Sequence, residues 1–241
     1  MGIAENFAEV RRRVDAACAA ADRDPSQVRL LPVSKTKPPA AIREAYEAGA
    51  RLFGENKVQE AVAKAEVFAE IPDLRWAVIG HLQTNKAKQV AAVAAEFHAL
   101  DSLRLAEALD RRLHDLGRTL DVFVQVNSSG EESKFGLAPE AVPELARELT
   151  RFDTLRVRGL MTLAVFSDDT DLVGACFGRM RDLQARLQDT DAIPERWTEL
   201  SMGMSGDYEL AIAYGATTVR VGQAIFGDRL EPNDYWPVSG R

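Results

Sequence analysis

Eight short apolar runs, each followed by residues with helical spacing or by the chain's final turn, leave this chain few folds to choose from. The strand-like runs fall at 29–34, 52–55, 76–79, 97–101, 121–126, 156–163, 199–202 and 218–221. Helical patterns occupy 40–49, 58–68, 85–95, 103–116, 139–152, 171–187 and 207–214; Leu103, Ala106, Leu109 and Leu113, for instance, share one stripe. Strict alternation of this kind implies a parallel sheet with helical crossovers. Eight units in 241 residues match a closed (β/α)8 TIM barrel, typically about 250 residues long. An open doubly wound α/β sheet is the alternative, because periodicity does not establish closure. A further helix over 4–21 precedes the first strand. No Ser/Gly-rich linker, low-complexity run or charge shift divides the chain, and the tail after Gly227 is too short for a domain of its own. Residues 1–241 therefore read as a single barrel domain.

Composition narrows the function classes. The chain is 46% hydrophobic and 28% charged, as globular proteins are, and its net charge of -7 argues against a nucleic-acid partner. The first residues lack the regions of a signal peptide, and no apolar stretch approaches the roughly 20 residues needed to span a bilayer. Cys18 and Cys176 lie far apart in helical patterns, and three histidines accompany them without metal-ligand spacing. The expectation is a cytoplasmic protein with neither a disulfide framework nor a protein-bound metal.

Chemistry concentrates at the carboxyl ends of the strands, where α/β folds bind ligands. The first strand ends on Lys35, followed by Thr36-Lys37-Pro38-Pro39, and the prolines suit the first turn of the next helix. A lysine there can be partly desolvated, freeing its lone pair for attack on an aldehyde; the plainer alternative is a solvated loop lysine. Leu200-Ser201-Met202-Gly203-Met204-Ser205-Gly206-Asp207 carries a strand through two glycines and two serines into a helix, a backbone suited to cradling phosphate. In the last strand, alternation puts Val219 and Val221 on the helix-facing side and Arg220 inside the barrel near its mouth. A buried arginine needs a partner, for which Glu55 and Asp101 are the candidate carboxylates. Asn56, His81, Asn127 and Lys134 close other strands or their loops. The methionines 161, 180, 202 and 204 read as packing, with Met161 kept among the residues near a ligand. Lysine nucleophile, phosphate cradle and inward arginine together suggest pyridoxal 5′-phosphate (PLP).

These segments closely resemble the pyridoxal phosphate homeostasis protein family. The resemblance runs through Val33-Ser34-Lys35-Thr36-Lys37-Pro38, Phe53-Gly54-Glu55-Asn56 and Ile79-Gly80-His81-Leu82-Gln83-Thr84-Asn85-Lys86. It continues in Gln125-Val126-Asn127, Glu132-Ser133-Lys134, Arg158-Gly159-Leu160-Met161, the 200–207 segment and Val219-Arg220-Val221-Gly222. Ala77 and Ala164 depart from it, standing where the family commonly has histidine and proline. The family is similar to the barrel domain of alanine racemase, a fold type III PLP architecture, here without the second β-domain. The resemblance implies PLP as a Schiff base on Lys35, with Arg220 at the pyridine nitrogen. Ser201, Ser205, Gly222 and Gln223 are the candidate phosphate contacts, and Asn56 and Met161 further cofactor contacts. It implies a role in intracellular vitamin B6 homeostasis without established turnover, with PLP-dependent apo-enzymes as partners, no membrane, and a monomeric state. The alternatives are a racemase-like enzyme, whose acid or base would come from Tyr208, Tyr214 or His81, and a Schiff-base aldolase acting on a phosphorylated sugar.

Overall fold

In a computed structural model, which describes residues 2–190 and 196–227, all eight expected strands form and join one parallel sheet. The segment after Gly227 lies outside the described residues. The strands are β1 (Arg29–Pro32), β2 (Leu52–Glu55), β3 (Arg75–Val78), β4 (Ala94–Leu100), β5 (Leu120–Val126), β6 (Leu155–Thr162), β7 (Glu199–Ser201) and β8 (Thr218–Val221). Helix α1 (Ile3–Ala20) precedes them, and α2 (Pro39–Glu47), α3 (Val58–Val67), α4 (Ala87–Val93), α5 (Leu103–Leu116), α6 (Val142–Leu149), α7 (Thr170–Thr190) and α8 (Tyr208–Ala213) connect them. The short α9 (Gln223–Phe226) follows β8.

Each strand pairs with its sequence neighbours, and β8 pairs with β1. Between β1 and β2 the ladder shrinks to one bridge, Val33 to Gly54, with the Ser34 N–H donating to the Gly54 carbonyl at 3.0 Å. That seam closes the barrel and removes the doubly wound alternative. Lys35 follows directly on it.

Strand parity sorts the side chains. Phe53, Val219 and Val221 join the large core between strands and helices, whereas Leu31, Leu52 and Ala77 form a separate small cluster with Ile79 and Ala95 inside the barrel. Charges line the inner floor at the amino ends of the strands. Arg29 grips Glu96 at 2.5 and 3.0 Å and reaches Thr218 at 3.1 Å, and Arg158 holds Glu199 at 2.8 Å. β6 slips register against β5 beside Gly159, where a Cβ would stand 1.8 Å from the Glu199 carbonyl oxygen, so β6 and β7 approach closely there. Helix α1 lays Phe7, Val10, Val14 and Cys18 on the outer layer beside α2 and α8.

One boundary differs from the sequence expectation. The alanine-rich stretch 91–95 suits a helix, yet α4 stops at Val93 and β4 begins at once. Arg118, from the turn before β5, donates to the carbonyls of Ala91 and Ala92 at 2.5 Å and of Ala94 at 3.0 Å. It satisfies acceptors that would otherwise call for another helical turn.

Candidate cofactor-binding site

Lys35 is half-buried in the turn that leads from the seam to α2. It follows Arg29, Leu31 and Val33 in the inward alternation, so it belongs to the barrel's mouth. The turn is held unusually hard from below. Thr36 has φ +62°, the left-handed region, which costs a β-branched residue on the order of 1–2 kcal/mol. Its hydroxyl is buried without a hydrogen-bond partner. Against this, the Thr36 N–H donates to Glu60 Oε1 at 2.6 Å, and the Ser34 hydroxyl donates to Glu55 Oε1 at 2.5 Å. Lys64, fully buried on α3, donates to the Ser34 carbonyl, Glu55 Oε1 and Glu60 Oε1, each at 2.7 Å. All three ammonium hydrogens are thereby used. Burial raises Glu55 to about 7, with Lys64 opposing the rise and Glu60 adding to it.

Arg220 lies inside the barrel, as parity requires, but neither expected carboxylate meets it. Glu55 faces the helix layer with Phe53 and is committed to Lys64, while Asp101 pairs with His81 at 3.1 Å. Arg220 instead donates to Ser201 Oγ at 2.8 Å and to the Thr162 carbonyl at 2.7 Å. Among the described residues no carboxylate bonds to it; Asp207 acts only through its field, partly offsetting burial, which lowers the guanidinium to about 10. Arg220 thus remains a cation at neutral pH, with two of its five N–H groups taken by these protein acceptors.

Behind Arg220 runs a one-way chain of hydrogen bonds. Ser201 Oγ meets His98 Nδ1 at 2.9 Å, and His98 Nε2 meets Glu96 Oε2 at 2.8 Å. Burial lowers the His98 pKa, against the pull of Glu96, and so favours the neutral ring. Glu96 is ionised and can only accept, so the ring proton sits on Nε2 and Nδ1 accepts from Ser201. Ser201 then accepts from Arg220. Of this chain only Ser201 and Arg220 are among the sequence candidates; the signal for His98 and Glu96 is their alternation on an apolar strand. Lys64 was overlooked too; it sits among Val58, Ala61 and Phe68 on the buried stripe of α3.

The other candidates gather around the same mouth. Met161 stands in register between Gln125 and Ser201, fully buried. Gln125 Oε1 is buried without a partner. Ser205 is half-buried in a turn over 205–207, where the Met204 N–H donates to Asp207 Oδ1 at 2.5 Å. A Cβ on Gly206 would meet nothing within 4 Å, whereas on Gly222 it would stand 3.1 Å from the Val33 carbonyl oxygen, so the loop after β8 lies close against β1. Asn56 is exposed on the loop after β2. Lys134 bonds the Ala164 carbonyl at 2.8 Å, joining the loops after β5 and β6, and the neighbouring Phe135 stacks on His81 at 4.0 Å. Asn127 shapes its own loop through Ser129, Gly130 and Glu131. Tyr214 lies in the helix layer, with its hydroxyl 2.7 Å from where a Cβ on Gly174 of α7 would stand, and the Tyr208 ring lies under Arg13 of α1. Neither tyrosine reaches the mouth as an acid or base.

A parallel barrel with a strand-end lysine and an inward arginine places the chain with the alanine racemase N-terminal domain, the family description that matches residues 3–230. Alanine racemase from Streptomyces coelicolor shares the fold with a TM-score of 0.70 and 20% identity, over 92% of this chain and 58% of that one. PipY of Synechococcus elongatus, in a structure with PLP bound, is 40% identical with a TM-score of 0.82, over 93% of this chain and 100% of that one. The Pseudomonas aeruginosa pyridoxal phosphate homeostasis protein is 45% identical over 230 residues, 94% of this chain and 96% of that protein. Its Escherichia coli K12 counterpart is 42% identical over 230 residues, covering 94% and 97%. The chain belongs to the pyridoxal phosphate homeostasis protein family.

Proposed function

We propose that this protein binds PLP at the barrel mouth as a Schiff base on Lys35 and serves intracellular PLP homeostasis as a carrier, without catalytic turnover. The observation that carries the reading is Arg220: a buried cation with no carboxylate bonded to it among the described residues, on the inner face of the last strand near the mouth to which Lys35 belongs. Such a group calls for an electron-rich ligand. The open space at Gly206 also leaves room for a guest's phosphate at the loop after β7.

PLP would supply a reactive aldehyde. Lys35 would hold that group covalently through its amine. Arg220 would face the ring nitrogen as a donor; because a guanidinium does not surrender its proton there, the group's capacity to absorb electrons from an amino acid would be weak. That suits carriage better than racemisation, as does the placing of buried Tyr208 and half-buried Tyr214 in the helix layer. Ser205, Gly222 and Gln223 hold the phosphate, and Met161 and Asn56 border the ring. The Ser201 hydroxyl is already engaged by Arg220 and His98, so its part is to aim Arg220. The carrier so proposed is cytoplasmic and monomeric and hands PLP to apo-enzymes; separately, among the described residues no helix is long and apolar enough to cross a membrane.

The test is borohydride reduction of the PLP-saturated protein followed by peptide mass analysis. The pyridoxyl mass is expected on the peptide containing Lys35, and Lys35→Ala should abolish it while keeping the fold and weak non-covalent binding. Label on another peptide of the wild-type protein, with none on the Lys35 peptide, overturns the reading.

A further inference from the structure

The cluster beneath the Lys35 turn is unused by the function just proposed, although a fully buried lysine is among the rarest side chains in a protein core. Lys64 spends its ammonium on the Ser34 carbonyl and on Glu55 and Glu60, two carboxylates that in turn bond the residues on either side of Lys35. The residue before Lys35 is fixed at three points. The Ser34 N–H donates to Gly54, its carbonyl accepts from Lys64, and its hydroxyl donates to Glu55. The residue after Lys35 is fixed through its N–H on Glu60, in a backbone conformation threonine resists. A hydrophobic plug would cover the same space without these bonds, and ion pairs this buried are seldom retained for stability alone. They do impose one geometry on whatever they hold.

We propose that Lys64, together with Glu60 and Glu55, is a positioning device for Lys35: it locks the Ser34–Thr36 backbone so that the Lys35 amine meets the PLP aldehyde in a reactive pose. The inference rests on Lys35 as the Schiff-base residue. Lys64 itself touches no ligand, since none of its surface is exposed. Its effect therefore falls on the rate of covalent capture and not on the non-covalent hold of the phosphate loops and Arg220, which belong to β7 and β8.

Stopped-flow mixing of apo-protein with PLP, followed by the Schiff-base absorption band, measures capture; equilibrium dialysis measures total PLP held; borohydride labelling reports the lysine used. For Lys64→Met, capture is expected to slow by at least about tenfold, since small misplacements of a reacting group cost up to about a hundredfold. Total PLP held at saturation should change little. Glu60→Ala, which frees the Thr36 N–H without stranding a buried charge, should slow capture in the same direction. Glu60→Gln, whose amide oxygen can still accept from Thr36, should restore the rate to within about twofold. If Lys64→Met does not fold by circular dichroism, the two Glu60 variants decide. Folded variants that capture PLP at the wild-type rate overturn the inference and leave Lys35 as the attachment point. A wild-type protein labelled elsewhere overturns both.

Discussion

Glu96 is a carboxylate on the barrel floor whose surroundings pull in opposite directions. Burial pushes its pKa up, but the His98 bond and the Arg29 guanidinium outweigh it and hold the carboxyl at about 2, below the ordinary 4.5. A depressed carboxyl stabilises the fold above its unfolded value and loses that contribution as pH falls through the folded one. About 3 kcal/mol should accordingly disappear between pH 4.5 and 2. Urea unfolding across that range should show a steeper acid loss for the wild type than for Glu96→Gln. Equal slopes would mean the pair is not formed. Glu96→Gln should also be less stable at pH 7, since among the described residues it leaves Arg29 with Glu199, at 3.7 Å, as its one carboxylate, and it unsettles the chain behind Arg220. At this scale the sequence was half legible. Lys35 and Arg220 stood out because a charged residue at a strand end or on an inward parity is unusual. His98, Glu96 and Lys64 were hidden by their partners, which come from strands and helices far along the chain. A one-dimensional pattern carries no record of those meetings.

Elements were easier to read than their junctions. Every strand was foreseen because fully buried parallel strands are short apolar runs between turn residues, a signal that survives without tertiary context. The α4–β4 junction was not, because alanine favours helix and the residue that stops it is contributed from before β5. Arg118→Ala should cost about 2 kcal/mol in chemical unfolding, the range for charge-assisted bonds lost together, and should extend helix into 94–95. Backbone chemical shifts would reveal that extension. An unchanged unfolding midpoint would assign the stop to strand pairing alone. Glu55 teaches a related point: read as an interior carboxylate, it belongs to the helix side, because Gly54 and not Glu55 shares the inward parity of Leu52.

At the scale of the whole molecule, closure of the sheet was inferred from counting and is delivered by very little. Along β5 and β6 the ladder runs the full length of both strands, yet β1 and β2 meet through Val33, Ser34 and Gly54 only. So short a ladder leans on the bonds of Lys64, Glu55 and Glu60 to Ser34 and Thr36, so in Lys64→Met the Ser34 amide should exchange its hydrogen well before the amides of β5. In that variant, loading PLP onto Lys35 should slow exchange at Ser34 by about tenfold or more while leaving β5 unchanged, as expected when a ligand stabilises only the closed form. Hydrogen exchange followed by NMR would show both, and a Ser34 amide as protected as β5 in the free variant would sink the idea. The ring of strands is thus fastened like a necklace, by a clasp, and the cargo is hung beside the clasp. A full carrier and an empty one would then differ less in shape than in how often that fastening springs open.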